Sequence, residues 1–127
     1  MKLLEEKILK EGRILNNEIL KVDNFLNHQI DVNLCNEMGK EIAKRFPGAT
    51  KVVTIEASGI AIATLLGHLY DVPVVFAKKS QTANSTDDKY VAQAYSFTHK
   101  KMNNVFISKP YLSATDKVLI VDDFLAD

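Results

Sequence analysis

The chain has 127 residues, 46% hydrophobic and 25% charged, which is enough for one domain with one core and too few for a second. Lysine plus arginine and aspartate plus glutamate both number 16, so no net field draws a nucleic acid, and a small-molecule partner is expected. The single cysteine, Cys35, excludes an internal disulfide, and its place among apolar helix positions marks it as a small core residue.

Residues 2–11 form the first expected element, a short amphipathic helix with Leu3, Leu4 and Ile8 on one side and Gly12 as its stop. No long hydrophobic stretch follows, and acids interrupt the apolar pattern. Neither a leader nor a membrane span is expected, and the setting is cytoplasmic. Residues 31–46 carry the clearest helical period: Asp31 caps it, Leu34, Met38, Ile42 and Phe46 recur every four residues, and Pro47-Gly48 ends it. KVVTIEA (51–57) reads as a strand, SGIAIATLLGHLYD (58–71) as a largely apolar helix, and VPVVFAK (72–78) as the next strand.

From Lys79 to Lys89 the run KSQTANSTDDK lacks apolar periodicity and predicts a mobile surface loop. Extended pattern resumes in YVAQAYSFT and again in NVFISK (104–109). PYLSATD makes a turn, and KVLIV (117–121) is the last strand. Alternating strands and helices predict an α/β domain with a mainly parallel sheet flanked by helices, and a hairpin excursion between 79 and 109. His28, His68 and His99 are far apart and show no zinc-ligand spacing.

The strand KVLIV delivers Asp122 and Asp123 to the rim of the sheet, where ligands of α/β folds sit. Adjacent acids alone say little, since Glu5-Glu6 and Asp87-Asp88 also occur. Position sets Asp122-Asp123 apart, because two charges at the end of an interior strand are costly unless something cationic or hydroxylated meets them. Upstream, Glu56-Ala57-Ser58-Gly59 forms a small-residue turn at a helix start, which offers backbone N–H groups to an anion. Capping and tight packing use the same residues.

The phrase VLIVDD is similar to the opening of two-component receiver domains, but there it begins the domain and here it stands late. Paired with EASG some 65 residues earlier, it resembles the motif of type I phosphoribosyltransferases. The segments ILKVDNFLNHQID (19–31), TIEASGIAIA and AYSFT are similar to those of bacterial xanthine phosphoribosyltransferases, in order along all 127 residues. What the resemblance implies is transfer of phosphoribosyl from phosphoribosyl pyrophosphate (PRPP) to N9 of xanthine, with guanine as the alternative base. The family pairs as homodimers, and no nucleic acid or membrane takes part.

By the same resemblance, Asp122 and Asp123 serve the ribose hydroxyls, with Mg2+ near them rather than in a dedicated cage of side chains. Glu56, Ala57, Ser58 and Gly59 meet pyrophosphate, and Lys78 and Lys79 balance phosphate charge, Lys78 standing where an arginine is common. Leu20 and Asn27 recognise xanthine within an N-terminal hood, residues 1–31, over an α/β core, residues 32–127. Ile19, Val22 and Leu26 give the hood its apolar footing, and Tyr95 and Ser96 with the loop 79–89 cover the site.

Ala126 and Asp127 open the loop that holds the 5-phosphate. The family's motif runs DDFLANGxA, whereas this chain reads DDFLAD. The resemblance therefore implies an incomplete core with half of the PRPP site and no useful transferase activity. The alternative is a non-catalytic nucleotide-sensing or assembly module with the same fold.

Overall fold

A computed structural model describes residues 1–15, 19–21, 25–26, 28–80, 88–96 and 100–123; for 13–15, 19–21, 96 and 101 it describes only the backbone. Helix α1 spans Lys2–Glu11, strands β1 (Arg13–Leu15) and β2 (Ile19–Lys21) form a small antiparallel pair, and helix α2 spans Val32–Arg45. Strand β3 (Lys51–Ile55), helix α3 (Ile60–Tyr70) and strand β4 (Val74–Ser80) make a right-sized βαβ unit. Strands β5 (Lys89–Ser96), β6 (Lys101–Ser108) and β7 (Val118–Ile120) complete the second sheet.

Its strand order is β5-β6-β4-β3-β7. β3 lies parallel to both β4 and β7, while β4, β6 and β5 pair antiparallel. The sheet is a parallel trio of β4, β3 and β7 with the expected hairpin added to its edge, which makes it mixed. Hairpin pairing corrects the expected loop. Lys79 and Ser80 belong to β4, opposite Val105 and Asn104, and Lys89 opens β5, opposite Ser108. Ladder hydrogen bonds accept polar side chains as readily as apolar ones, so composition placed the strand end too early. The remainder of that loop, 81–87, lies outside the described residues.

Asp31 caps α2 as expected, accepting the Leu34 N–H at 3.0 Å. The same carboxylate pairs with Lys7 of α1 at 2.9 Å, and Lys7 also meets Glu11 at 2.7 Å. α2 packs on α3, and α3 on β3 and β4. Gly39 permits the helix contact, since a Cβ there would stand 2.8 Å from Leu69 Cδ1. α3 ends where Asp71 turns left-handed (φ 55°, ψ 48°), and the Tyr70 hydroxyl donates to the Phe46 carbonyl.

The core joins Leu34 and Cys35 of α2 to Ile62, Ala63 and Leu66 of α3 and Val52 of β3, with Phe25 and Leu26 closing one side. Phe25, Cys35, Val52 and Leu66 are fully buried, and burial of a side chain the size of Phe25 or Leu66 stabilises the fold by about 1.5–3 kcal/mol. Burial also pushes the Cys35 thiol pKa up. Leu26 is part of the hood's expected footing and is buried. Val22 and the Ile19 side chain lie outside the described residues.

Candidate active site

The site forms where β3 and β7, parallel neighbours, reach the same end of the sheet. β3 stops at Ile55 because the chain turns through Glu56 to Gly59; the Ile60 N–H closes this turn on the Ala57 carbonyl at 3.2 Å. The Glu56–Ala57 peptide is cis. Beyond the end of β3, β4 still presents an N–H on the side that β3 has left. Glu56 supplies the acceptor: its carboxylate takes the Lys79 N–H at 2.6 Å, while its own N–H donates to the Ala77 carbonyl at 3.1 Å. The acid of the turn is thereby held against the sheet.

β7 carries the acidic pair to that turn. The Val121 N–H donates to the Val53 carbonyl at 2.9 Å, so the chain still runs beside β3 one residue before Asp122. The Asp123 N–H donates to Asp122 Oδ1 at 2.8 Å, and the Ser58 hydroxyl donates to Asp123 Oδ1 at 2.9 Å. Asp122 reaches solvent, yet partial burial against the strand ends, and after it the side chain of Asp123, raises its carboxyl pKa. The Asp123 N–H and, more weakly, Lys79 pull the other way. Gly59 is required by close approach: a Cβ there would collide with Thr54 Oγ1 and stand 2.8 Å from Asp122 Oδ1.

A cleft of about 230 Å³ opens over these groups, lined by Glu56, Ser58, Lys79, Tyr95, Asn103 and Asp122 among others. The Glu56 and Asp122 carboxylates, the Ser58 hydroxyl and Lys79 converge on it. Such a set can hold a polyanion at one end and hydroxyl groups or a hard cation at the other.

Of the residues expected at a site, the structure brings Glu56, Ala57, Ser58, Gly59, Lys79, Tyr95, Asp122 and Asp123 to this region. It does not bring Lys78. Adjacent strand residues point to opposite faces, and Lys78 lines a separate cavity of about 420 Å³ with Phe76, Phe106 and Tyr111. Ser96 ends β5 opposite Lys101. The Leu20 backbone pairs with Ile14 in the small sheet. Asn27, Ala126 and Asp127 lie outside the described residues. Sequence reasoning missed Thr54, which reads as one more β-branched strand residue, and Asn103, one of two asparagines before an apolar run.

Over the whole of this chain, a xanthine phosphoribosyltransferase 2 of Clostridium botulinum is 56% identical, and the match covers 68% of that relative. The chain belongs to the xanthine phosphoribosyltransferase family. Relatives of the same name from Ruminiclostridium cellulolyticum and Clostridioides difficile are 52% and 53% identical, again over the whole chain and 68% of their own length. No family model matches.

Among solved structures, the fold is that of type I phosphoribosyltransferases. The adenine phosphoribosyltransferase of Giardia lamblia, in complex with 9-deazaadenine, superposes with a TM-score of 0.71 at 18% identity, over 97% of this chain and 68% of that one. The Rhodothermus marinus adenine enzyme gives 0.70 at 21% identity, over 98% and 71%. No helix of the described residues is long and apolar enough to cross a membrane.

Proposed function

We propose that this chain belongs to purine salvage, carrying the turn and acidic pair with which phosphoribosyl is transferred from PRPP to N9 of xanthine, giving xanthosine 5-monophosphate and pyrophosphate. The observation that carries the reading is the Ser58–Asp123 hydrogen bond, which joins the family's turn and acidic pair into one site. In that site the backbone of Ala57 to Gly59 and the start of α3 receive the pyrophosphate, and Lys79 offsets its charge. Asp122 and Asp123 take the ribose hydroxyls and favour positive charge developing on the sugar as the bond to pyrophosphate breaks. Ala126 and Asp127 begin the segment for the 5-phosphate. Leu20 and Asn27 meet the base, within a hood of residues 1–31 over the core of 32–127. Tyr95 and Ser96, on the hairpin, cover the cleft and exclude water.

Mg2+ fits the donor set. Among the described residues no group of three or more His, Cys, Asp or Glu stands together, but partial burial and then the neighbouring Asp123 raise the Asp122 pKa, and a cation would be welcome there. Asp122 and Asp123, with water and substrate phosphates, would hold a hard ion there, and its charge would offset that of the diphosphate.

The reading extends to a homodimer. Ile120 is 78% exposed and Val118 and Phe76 are also open, which supports self-association through uncovered apolar surface. A cytoplasmic setting follows from the intracellular substrates assigned. The deciding experiment incubates the protein with PRPP, xanthine and Mg2+ and measures xanthosine monophosphate. Product supports the transferase. Retained PRPP binding with no product on any purine points to the non-catalytic module instead. Sedimentation at high micromolar concentration tests the dimer, and a monomer there removes it.

A further inference from the structure

Thr54 stands in β3 between Val53 and Ile55, where valine would fill the same space and suits a strand better than a hydroxyl does. It is only 1% exposed, and its Oγ1 is the buried side-chain polar atom with no hydrogen-bond partner among the described residues. Packing does not explain the hydroxyl. Its surroundings offer an explanation, because directly over it lies Gly59, and a Cβ built on Gly59 would meet both Thr54 Oγ1 and Asp122 Oδ1. Only hydrogen occupies that position, so the hydroxyl and the carboxylate face one notch from two strands. Asp122 Oδ1 already accepts the Asp123 N–H, and a carboxylate oxygen has room for a second donor.

We infer that Thr54 is a positioning residue for the acidic pair, its hydroxyl steadying the Asp122 carboxylate through the notch at Gly59. The two acids then have matching supports: Ser58 holds Asp123 from the exposed side, and Thr54 holds Asp122 from the buried side. As it stands the hydroxyl makes no hydrogen bond among the described residues, and a rotation of the threonine side chain turns its proton to the ionised Oδ1, with or without ligand. Burial makes the hydroxyl effective, since no water competes for its proton. This inference deepens the transferase reading and rests on it for the identity of the ligand, whereas the notch that Thr54 Oγ1 and Asp122 Oδ1 share is already present in the ligand-free chain, where the contact is expected to be read.

Thr54→Val keeps the shape and removes the hydroxyl, and Thr54→Ser does the reverse. In the ligand-free protein, the side-chain carboxyl carbon resonance of Asp122, assigned with Asp122→Asn, should move in Thr54→Val and return in Thr54→Ser. Melting should run the other way, with Thr54→Val as stable as the parent or more so and Thr54→Ser less stable, because only the serine variant loses a buried methyl. Affinity for PRPP with Mg2+ should fall about tenfold in Thr54→Val and be rescued in Thr54→Ser, as expected for loss of one hydrogen bond to a charged group. An Asp122 resonance unmoved by Thr54→Val overturns the inference, as does affinity that follows side-chain shape rather than the hydroxyl. If the parent protein binds no PRPP while the resonance pattern holds, the functional reading fails and the positioning contact stands.

Discussion

Ser58 donates its hydroxyl to the Asp123 carboxylate at 2.9 Å across 65 positions of sequence. The contact spans the end of β3 and the end of β7, so the turn and the acidic pair share one rigid support. Ser58 is exposed, and its removal leaves the core untouched. Ser58→Ala should therefore leave the melting temperature within a degree or two while lowering affinity for PRPP with Mg2+ by about tenfold, the effect of one hydrogen bond to a carboxylate. Titration calorimetry reads this directly; equal affinity would show that Asp123 needs no such support.

Gly59→Ala tests the closeness of the turn to the strand ends. The added methyl meets Thr54 Oγ1 and Asp122 at once, and neither is the far end of a flexible chain. Relief requires movement of β3, β7 or the helix start, and overpacking of this kind costs about 1–3 kcal/mol. Lower thermal stability with loss of PRPP binding is the expected result. Parental values for both would mean that the turn stands farther from Asp122 than the structure has it.

Acid should loosen the junction of α1 and α2. The Leu34 N–H, then Lys7, holds the Asp31 pKa below its ordinary value, and the Ser113 N–H, then Thr50, does the same for Asp116. A folded-state pKa below the unfolded value gives stability that is present above the ordinary carboxylate range, about 3.9, and is lost as pH falls through the folded value. Asp31→Asn keeps a capping oxygen but not the charge. Its melting temperature should change less than the parent's as pH falls from about 6 to about 3, the span over which paired carboxylates begin to take up protons. Parallel curves would assign the acid sensitivity elsewhere.

Asp122 has the opposite sign. Its raised pKa means that the fold disfavours the charged form, so its contribution to stability is present below the unfolded pKa and is lost as pH rises through the folded one. Removing that charge should relieve the protein at neutral pH. Asp122→Asn is expected to melt at or above the parent temperature there, with PRPP binding lost, the usual opposition between a charged site and stability. A clear drop in melting temperature at neutral pH would contradict the assignment.

The outline of this fold is legible in the sequence wherever one local signal dominates. Asp31 announces the start of α2, the apolar repeat through Leu34, Met38 and Ile42 gives its buried face, and KVVTI and VVFA read as strands because β-branched residues crowd them. Less legible is anything set by pairing. β4 runs through Lys78 and Lys79 because β6 lies beside it, and only that extension decides that Lys79 faces the cleft and Lys78 faces away. Phe25 lacks a periodic context, yet it is fully buried. Asp122 and Asp123 stood out through the aliphatic strand before them. Thr54 could not stand out, because its interest arises from an unpaired hydroxyl beneath a glycine five residues later, which is a fact of three dimensions.

The position of β7 beside β3 also bears on how the protein comes into being. A chain is made from its N-terminus, and β3, α3 and β4 can pair while residues 117–123 have yet to be synthesised. Until β7 arrives, one side of β3 is an open edge of valine-rich strand, the kind of surface that recruits other chains. The site has no early form, because its turn precedes its acids by 65 positions. Changes that delay docking of β7, such as polar replacement of Leu119, should therefore reduce the yield of usable protein during synthesis by more than the melting temperature of the surviving molecules suggests.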